Sequence, residues 1–236
     1  MTEKPEMMKR IIPVFGEISL PNLGLNDEDL KRATETTNIV FHLAATLRLE
    51  ATLKPAIQMN LMGTKHALDV AKMMPNLLWF MHTSTAFCCP EIEILDDKIY
   101  PYPEKPANMI RCAETMTEDE MTAMQKEAIG THPNTYTFSK RLAEILVNDE
   151  YKNLPIVMVR PSIVTPALQE PLYGWVDSLN GIVGVSAAAC KGVLRCMMVD
   201  LDCTTEAIPV DTACNAMLLI IKNLSMEAKR LKSLNI

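Results

Sequence analysis

Three short apolar runs, separated by segments of helical periodicity, constrain the fold of this chain more than its other features. They lie at residues 37–45, 76–87 and 155–162. Apolar runs of this length without alternation are typical of strands that are covered on both faces, as in parallel sheets. Between them, residues 56–74 and 135–149 carry apolar side chains at helical spacing. The order strand, helix, strand, helix, strand predicts an α/β fold with a doubly wound, Rossmann-like parallel sheet.

Residues 88–133 interrupt this pattern with several prolines and many charged side chains. We interpret them as an excursion from the sheet that contains one short helix at 118–129. A chain of 236 residues can bury one large core, so a single domain over 1–236 is the default expectation.

Composition excludes several classes of protein. The net charge of −6 and the lack of a basic stripe argue against a nucleic-acid partner. The seven cysteines show no CxxC pair or zinc spacing, which predicts reduced thiols and no metal site. Residues 1–15 are charged and lack the apolar core of a signal peptide. The most apolar window, 181–199, is broken by Lys191 and Arg195, so we expect a buried helix there, with a membrane-facing or substrate-facing helix as the alternative.

Tyr136 and Lys140 are candidates for proton transfer. Residues four apart on a helix lie on the same face, one turn from each other. A phenol with a pKa near 10 is a poor acid or base at neutral pH, but a nearby ammonium stabilises the phenolate and lowers that pKa. Such a pair also needs a hydroxyl that holds a substrate carbonyl oxygen, and Ser84 is the candidate, with Thr85 as the alternative.

Small or polar residues follow each predicted strand. They are Ala44 and Ala45, Ser84 and Thr85, and Pro161 and Ser162. Ligands of doubly wound sheets bind beyond the carboxyl ends of the strands, so these residues are predicted to face one site. A tyrosine and a lysine at this spacing arise by chance with a probability of roughly one in four. A strand-end hydroxyl, the Tyr–Lys helix and a following apolar strand together are a much rarer coincidence.

Motifs along nearly the whole chain resemble one known family. The stretches that carry the resemblance are GEISLPNLGLNDED, VFHLAATLRLEATLKPAIQMNLMGTKHALDVA, MHTSTAF, TYTFSKRLAE, VRPSIV, EPLYGWVDSLNGIVG and IPVDTACNAML. In this order they resemble the amino-terminal NAD(P)-binding domain of the fatty acyl-CoA reductases, in the extended short-chain dehydrogenase/reductase superfamily. The EPLYGWVD run separates this family from sugar-nucleotide epimerases and steroid dehydrogenases.

The resemblance implies roles for particular residues. Tyr136 would give a proton to the carbonyl oxygen, Lys140 would tune its pKa and contact the cofactor ribose, and Ser84 would orient the carbonyl. Glu17 stands where the family usually has aspartate, near the adenine. The residues implied to bind the cofactor are Glu17, Ile18, Ala44, Ala45, Asn60, Tyr136, Lys140, Pro161, Ser162 and Ile163.

The implied reaction is the NADPH-dependent reduction of long-chain fatty acyl-CoA to fatty alcohol through the aldehyde. A homodimer and association with the peroxisomal or endoplasmic-reticulum membrane are further expectations from the resemblance. The family's opening turn, T-G-x-T-G-F-x-G, and its carboxyl-terminal domain have no counterpart here. An incomplete reductase that binds NADPH poorly or not at all is therefore expected. The alternatives are an inactive remnant that binds acyl-CoA or a full-length partner, and another extended dehydrogenase or epimerase.

Histidines have separate expectations. His42 lies in an apolar strand, where a hydrogen-bonded core histidine is the more common outcome than a catalytic one. His66 and His132 are predicted to be surface or loop residues.

Overall fold

The computed structural model of the chain describes residues 5–200 and 202–234. Residues 1–4 of the charged start, and positions 201 and 235–236 of the predicted domain, lie outside the described residues. The chain divides into two compact units. The first unit is Met1–His82 with Cys88–Met158, and the second is Thr83–Phe87 with Val159–Ile236. The single domain over 1–236 stays a prediction.

The first unit holds the larger sheet and most of the helices. Along this part of the chain the regular elements are α1 (Pro5–Met8), a 3-10 turn (Pro21–Gly24), α2 (Asp27–Thr36), β1 (Ile39–His42), α3 (Leu53–Ala56), a π-helical segment (Ile57–Met62), α4 (Gly63–Lys72), β2 (Trp79–Thr83), α5 (Pro106–Thr115), α6 (Glu118–Ile129), α7 (Thr135–Glu150) and β3 (Ile156–Val159).

The sheet has the order β1-β2-β3, and β1 and β2 are parallel. Their register pairs Ile39 with Trp79 and His42 with His82. The apolar runs at 37–45 and 76–87 therefore contain strands, as predicted, and the α/β prediction with a parallel sheet is confirmed.

Helix α7 runs through the core of the first unit. Phe138, Leu142 and Leu146 on this helix are fully buried, as is Phe80 on β2. Burial of each such side chain contributes about 1.5–3 kcal/mol relative to exposure. Asn134 caps the helix by accepting a hydrogen bond from the backbone N–H of Thr137 at 2.9 Å. Packing on both sides thus fixes the helix that carries Tyr136 and Lys140.

The helix predicted at 56–74 begins three residues earlier, at Leu53, and contains the π-helical segment Ile57–Met62. Such segments often occur at functional positions, and this one carries the buried Asn60.

The excursion at 88–133 contains two helices rather than the one that was predicted. Helix α6 matches the prediction and starts with a capping box between Thr117 and Glu120. Helix α5 was missed because prolines surround its start. Pro106 occupies its first turn. Proline is tolerated there because backbone N–H groups of the first turn have no acceptor within the helix, so the N–H that proline lacks is not missed.

The second unit contains β4 (Ile163–Thr165), α8 (Ile182–Cys190), β5 (Ala207–Pro209) and α9 (Val210–Leu234). Strands β4 and β5 form a parallel pair. At the start of α9, Asp211 accepts hydrogen bonds from the backbone N–H groups of Leu168, Gln169 and Glu170 at 2.9–3.1 Å, and these bonds lower its pKa to about 2. None of the helices in the described ranges combines the length and apolar character needed to cross a membrane.

Candidate active site

Helix α7 presents the two predicted proton-transfer residues on one face. Tyr136 is half-buried, and Lys140, one turn further on, is only 3% exposed. Burial disfavours the charged ammonium and lowers the pKa of Lys140 to about 8, while the Glu144 carboxylate acts in the opposite direction. With this pKa, Lys140 still carries its positive charge at neutral pH, and a positive charge is what stabilises a phenolate.

Asn60 links three segments around this helix. Its Oδ1 accepts a hydrogen bond from the backbone N–H of Thr46 at 2.8 Å. Its Nδ2 donates to Ser139 Oγ at 2.9 Å and to the Thr46 carbonyl at 3.3 Å. The chain that follows β1, the π-helical segment and α7 are therefore joined through one amide. The predicted cofactor contact of Asn60 stays a prediction.

Two histidines stack within the sheet of the first unit. The rings of His42 and His82 lie 5.5 Å apart, and His42 Nε2 is 2.9 Å from Thr64 Oγ1. Burial, followed by the charge of Lys140, lowers the pKa of His42 to about 4 and that of His82 well below its usual value. His42 is the hydrogen-bonded core residue that the sequence predicted.

His82, in contrast to His42, was not among the residues singled out from the sequence. Its side chain is fully buried, and neither ring nitrogen has a hydrogen-bond partner within the described part of the chain. The only cue available beforehand was its place at the end of an apolar run.

The segment with Glu17 and Ile18 lies against helix α4. A Cβ added at Gly63 would come within 3.0 Å of Ile18, so glycine permits this close approach. His66 Nδ1 lies 3.1 Å from the Ile18 carbonyl oxygen. The Glu17 carboxylate is exposed and accepts hydrogen bonds from the Ser19 backbone N–H and hydroxyl, which lower its pKa.

After the end of β1, Ala44 is exposed and Ala45 is half-buried. In the first unit the structure thus places the segment of Glu17 and Ile18 against α4, the two alanines after β1, Asn60 in the π-helical segment, and Tyr136 and Lys140 on α7.

The remaining predicted residues belong to the second unit. The backbone N–H of Ser84 donates to the Val159 carbonyl at 2.8 Å, and that of Ala86 donates to Pro161 at 3.0 Å. Pro161, Ser162 and Ile163 follow directly and are half-buried. Ser84 and this segment are therefore neighbours, whereas the joint action of Ser84 with Tyr136 and Lys140 stays a prediction.

Ser84 carries a hydroxyl that is suited to a ligand. The side chain is 3% exposed, and its Oγ has no hydrogen-bond partner among residues 5–200 and 202–234. A buried hydroxyl without a partner is costly unless something else satisfies it. The alternative, Thr85, is buried too, and its Oγ1 accepts from the Phe87 backbone N–H at 3.3 Å.

His132 lies beside α7 and corrects an expectation. It was predicted to be at the surface, but it is 3% exposed, packs edge-on against Tyr102 and Phe138, and pairs with Thr137 Oγ1 at 3.0 Å. Burial lowers its pKa to about 4, with a further effect from the Arg141 charge. The sequence misled because loop residues after a glycine are usually solvated.

Arg141, next to Lys140, was also missed. Its guanidinium forms an ion pair with Glu91 at 2.6 Å, donates to the Pro101 carbonyl at 2.8 Å and stacks on Tyr102, with 4.6 Å from Cζ to the ring centroid. This one side chain ties the start of the excursion to α7. Contacts across 40 residues leave no periodic signal in a sequence.

The EPLYGWVD motif borders a cavity of about 340 Å³ within the second unit. Its lining residues are Glu170, Pro171, Trp175, Val210, Asp211, Cys214 and Asn215. In the described part of the chain, no group of three or more His, Cys, Asp or Glu side chains could hold a metal ion.

Comparisons with known proteins place this arrangement in context. A profile of the NAD-binding family described as "Male sterility protein" matches residues 1–217. Fatty acyl-CoA reductase 1 of Rattus norvegicus is 37% identical over 216 residues, which are 92% of this chain and 42% of that protein. Fatty acyl-CoA reductase 2 of Mus musculus is 39% identical over 211 residues, which are 89% of this chain and 41% of that protein. The chain thus spans about two fifths of the length of these relatives.

Among solved structures, the terminal R domain of the myxalamid PKS-NRPS biosynthetic pathway superposes with a TM-score of 0.66 at 22% identity. The match covers 90% of this chain and 47% of that one. At this identity the likeness shows the fold, which is Rossmann-like.

Proposed function

The chain belongs to the Male sterility protein family, which includes the fatty acyl-CoA reductases, and we propose that it forms part of an enzyme that reduces long-chain fatty acyl-CoA to fatty alcohol with NADPH. Membership confirms the resemblance that the motifs indicated. It also favours acyl reduction over the epimerase alternative. Because the chain spans about two fifths of the length of these relatives, the activity of a whole reductase is part of the proposal.

One observation carries the proposal. Tyr136 and Lys140 share a face of α7, and Lys140 is buried beside it with a pKa of about 8. An ammonium held one turn from a phenol stabilises the phenolate and so makes the phenol a usable proton donor near neutral pH.

The residues present fit a nicotinamide cofactor. Ala44 is small and exposed, which leaves an apolar surface free, and the exposed Glu17 carboxylate is a hydrogen-bond acceptor of the kind that nucleotide groups need. We assign to cofactor binding Glu17, Ile18, Ala44, Ala45, Asn60, Tyr136, Lys140, Pro161, Ser162 and Ile163. When bound, the cofactor supplies the hydride.

The protein's part in the reaction is positioning and proton delivery. Ser84 Oγ donates a hydrogen bond to the carbonyl oxygen of the thioester, and this bond stabilises the negative charge that develops there when hydride reaches the carbon. Loss of the CoA thiolate leaves the aldehyde. The second reduction would need a second cofactor molecule to supply hydride to the aldehyde carbon. In that step Tyr136 gives its proton to the aldehyde oxygen, which completes the alcohol, and Lys140 stabilises the phenolate that remains.

Turnover of the Tyr136→Phe variant tests the proposal. The longest gene product that contains this sequence is assayed for NADPH oxidation and alcohol formation with palmitoyl-CoA. Removing the phenol hydroxyl should lower the kcat of alcohol formation by at least about 100-fold, since general acid catalysis contributes that much, and should leave NADPH affinity nearly unchanged. Tyr173→Phe is the matched control, because Tyr173 is 81% exposed.

Unchanged alcohol formation by Tyr136→Phe would overturn the mechanism. Nucleotide sugars are assayed as a second class of substrate. Their interconversion by a protein that leaves palmitoyl-CoA untouched would favour the epimerase alternative, and lack of turnover by the unmodified protein would favour the inactive remnant.

A further inference from the structure

Helix α7 carries a third residue on the face of the proton-transfer pair. Tyr136, Lys140 and Glu144 follow one another at four-residue spacing, so their side chains line one stripe of the helix. Lys140 is 3% exposed and Glu144 is 1% exposed. Taking either charge out of water without compensation costs several kcal/mol, and both are held here within one turn of each other.

Two titratable groups of the sheet also interact with the charge of Lys140. They are His42 on β1 and His82 on β2, whose pKa values the Lys140 charge lowers further. Both rings are neutral at neutral pH and offer no negative charge to offset the ammonium. The Glu144 carboxylate is the group that acts against burial and favours the charged form of Lys140.

We propose that Glu144 is a positioning residue, whose carboxylate keeps the buried Lys140 side chain charged and aligned with Tyr136. This assignment rests on the proposed function for its chemical meaning, because a neutral Lys140 would not stabilise the Tyr136 phenolate. The side chains that transfer the proton or support its transfer are then three residues in one row on helix α7. Glu144 lies C-terminal to Lys140, which is the less favourable order for an exposed pair, but burial keeps this pair largely unscreened by solvent.

The direct readout is the protonation of Lys140 in the full chain without cofactor or substrate. Lysine labelled with ¹³C at Cε is titrated by NMR, and the Lys140 signal is assigned by its loss in Lys140→Met. In Glu144→Gln the midpoint should fall by about one pH unit, because an opposite charge nearby raises a lysine pKa by at least that amount. Glu150→Gln is the matched control, since Glu150 is an exposed carboxylate on the same helix.

A midpoint that is the same in Glu144→Gln and the unmodified chain overturns the proposal. If Glu144→Gln does not fold, Glu144→Asp is titrated instead. It draws the carboxylate away from Lys140 by one methylene, so the midpoint should fall by a smaller amount, and an unchanged midpoint again overturns the proposal. Failure of NADPH binding or of acyl-CoA reduction would contradict the proposed function alone, because the lysine titration needs neither ligand.

Discussion

At the scale of single residues, Asn60 has a role that no other residue type can fill in full. An amide both accepts from the Thr46 backbone N–H and donates to Ser139 Oγ. An aspartate keeps the first bond and loses the second, and an alanine loses both. Since Asn60 is 1% exposed, water cannot easily replace these partners.

Asn60→Ala should therefore lower the free energy of unfolding by about 3 kcal/mol, and Asn60→Asp by an amount that reflects an unpaired buried charge. Chemical denaturation followed by fluorescence, in chains that also carry Trp175→Phe, measures both, since the remaining Trp79 lies in the same unit as Asn60. The exposed Asn108→Ala serves as the control and should change stability by less than about 0.5 kcal/mol. Equal stabilities for Asn60→Ala and Asn108→Ala would contradict the assigned role.

At the scale of elements, Arg141 connects α7 to the excursion that begins at Cys88. The planar guanidinium pairs with the Glu91 carboxylate, donates to the Pro101 carbonyl and stacks on the face of Tyr102 at the same time. A lysine retains the charge but not the fork of donors or the flat surface for stacking.

Arg141→Lys should loosen residues 88–102 while α7 itself stays folded. A loss of about 1.4 kcal/mol in local stability corresponds to tenfold faster amide exchange, and hydrogen–deuterium exchange of peptides from this segment measures it. The control is Arg111→Lys on α5, because Arg111 is exposed. Exchange in residues 88–102 that is equally slow in both variants would show that Arg141 does not hold the segment.

The same elements show how far the sequence could lead. Helix α7 and strands β1 and β2 were predictable because their apolar spacing is a local property. The run at 155–162 was expected to be one strand, but β3 ends at Val159 and the chain joins a different pair of strands from Ile163. That exchange depends on pairing with Ala207, more than 40 residues later, and no local pattern encodes it.

In the candidate site, the sequence identified residue types and spacings but not their surroundings. Tyr136 and Lys140 were found from a four-residue spacing. Glu144 repeats that spacing once more and could have been found in the same way. The stacking of His82 on His42 follows from strand register, and the burial of His132 follows from ring packing with Tyr102. Both require the folded chain.

At the scale of the whole molecule, the two units differ in how their stability is expected to depend on pH. All four histidines of the chain, at positions 42, 66, 82 and 132, belong to the first unit. Burial lowers the pKa of His42 and His132 to about 4 and that of His82 well below its usual value. In the second unit, Asp211 has a pKa of about 2, so its hydrogen bonds persist far below neutral pH.

The sign of the pH effect follows from these directions. Below about pH 6.5 an unfolded chain protonates its histidines, whereas the folded first unit keeps the His42 and His132 rings neutral until about pH 4 and holds the pKa of His82 well below its usual value. The unfolded state then binds more protons, and the stability of the first unit falls as the pH falls through this window. The effect of Lys140 has the same sign at higher pH, because its folded pKa of about 8 lies below the pKa of an unfolded lysine. Its contribution to the unfolding free energy therefore rises as the pH rises between these two pKa values.

One tryptophan in each unit allows a direct test. Trp175→Phe leaves Trp79 to report the first unit, and Trp79→Phe leaves Trp175 to report the second. Between about pH 7 and pH 5, the unfolding free energy reported by Trp79 should fall by about 2 kcal/mol or more. The reason is that each buried histidine can lower the unfolding free energy by up to about 1.4 kcal/mol per pH unit. The transition reported by Trp175 should change much less. Adding His132→Gln should flatten the Trp79 dependence by removing one titrating ring, and an unchanged slope would show that His132 is not held neutral by the fold.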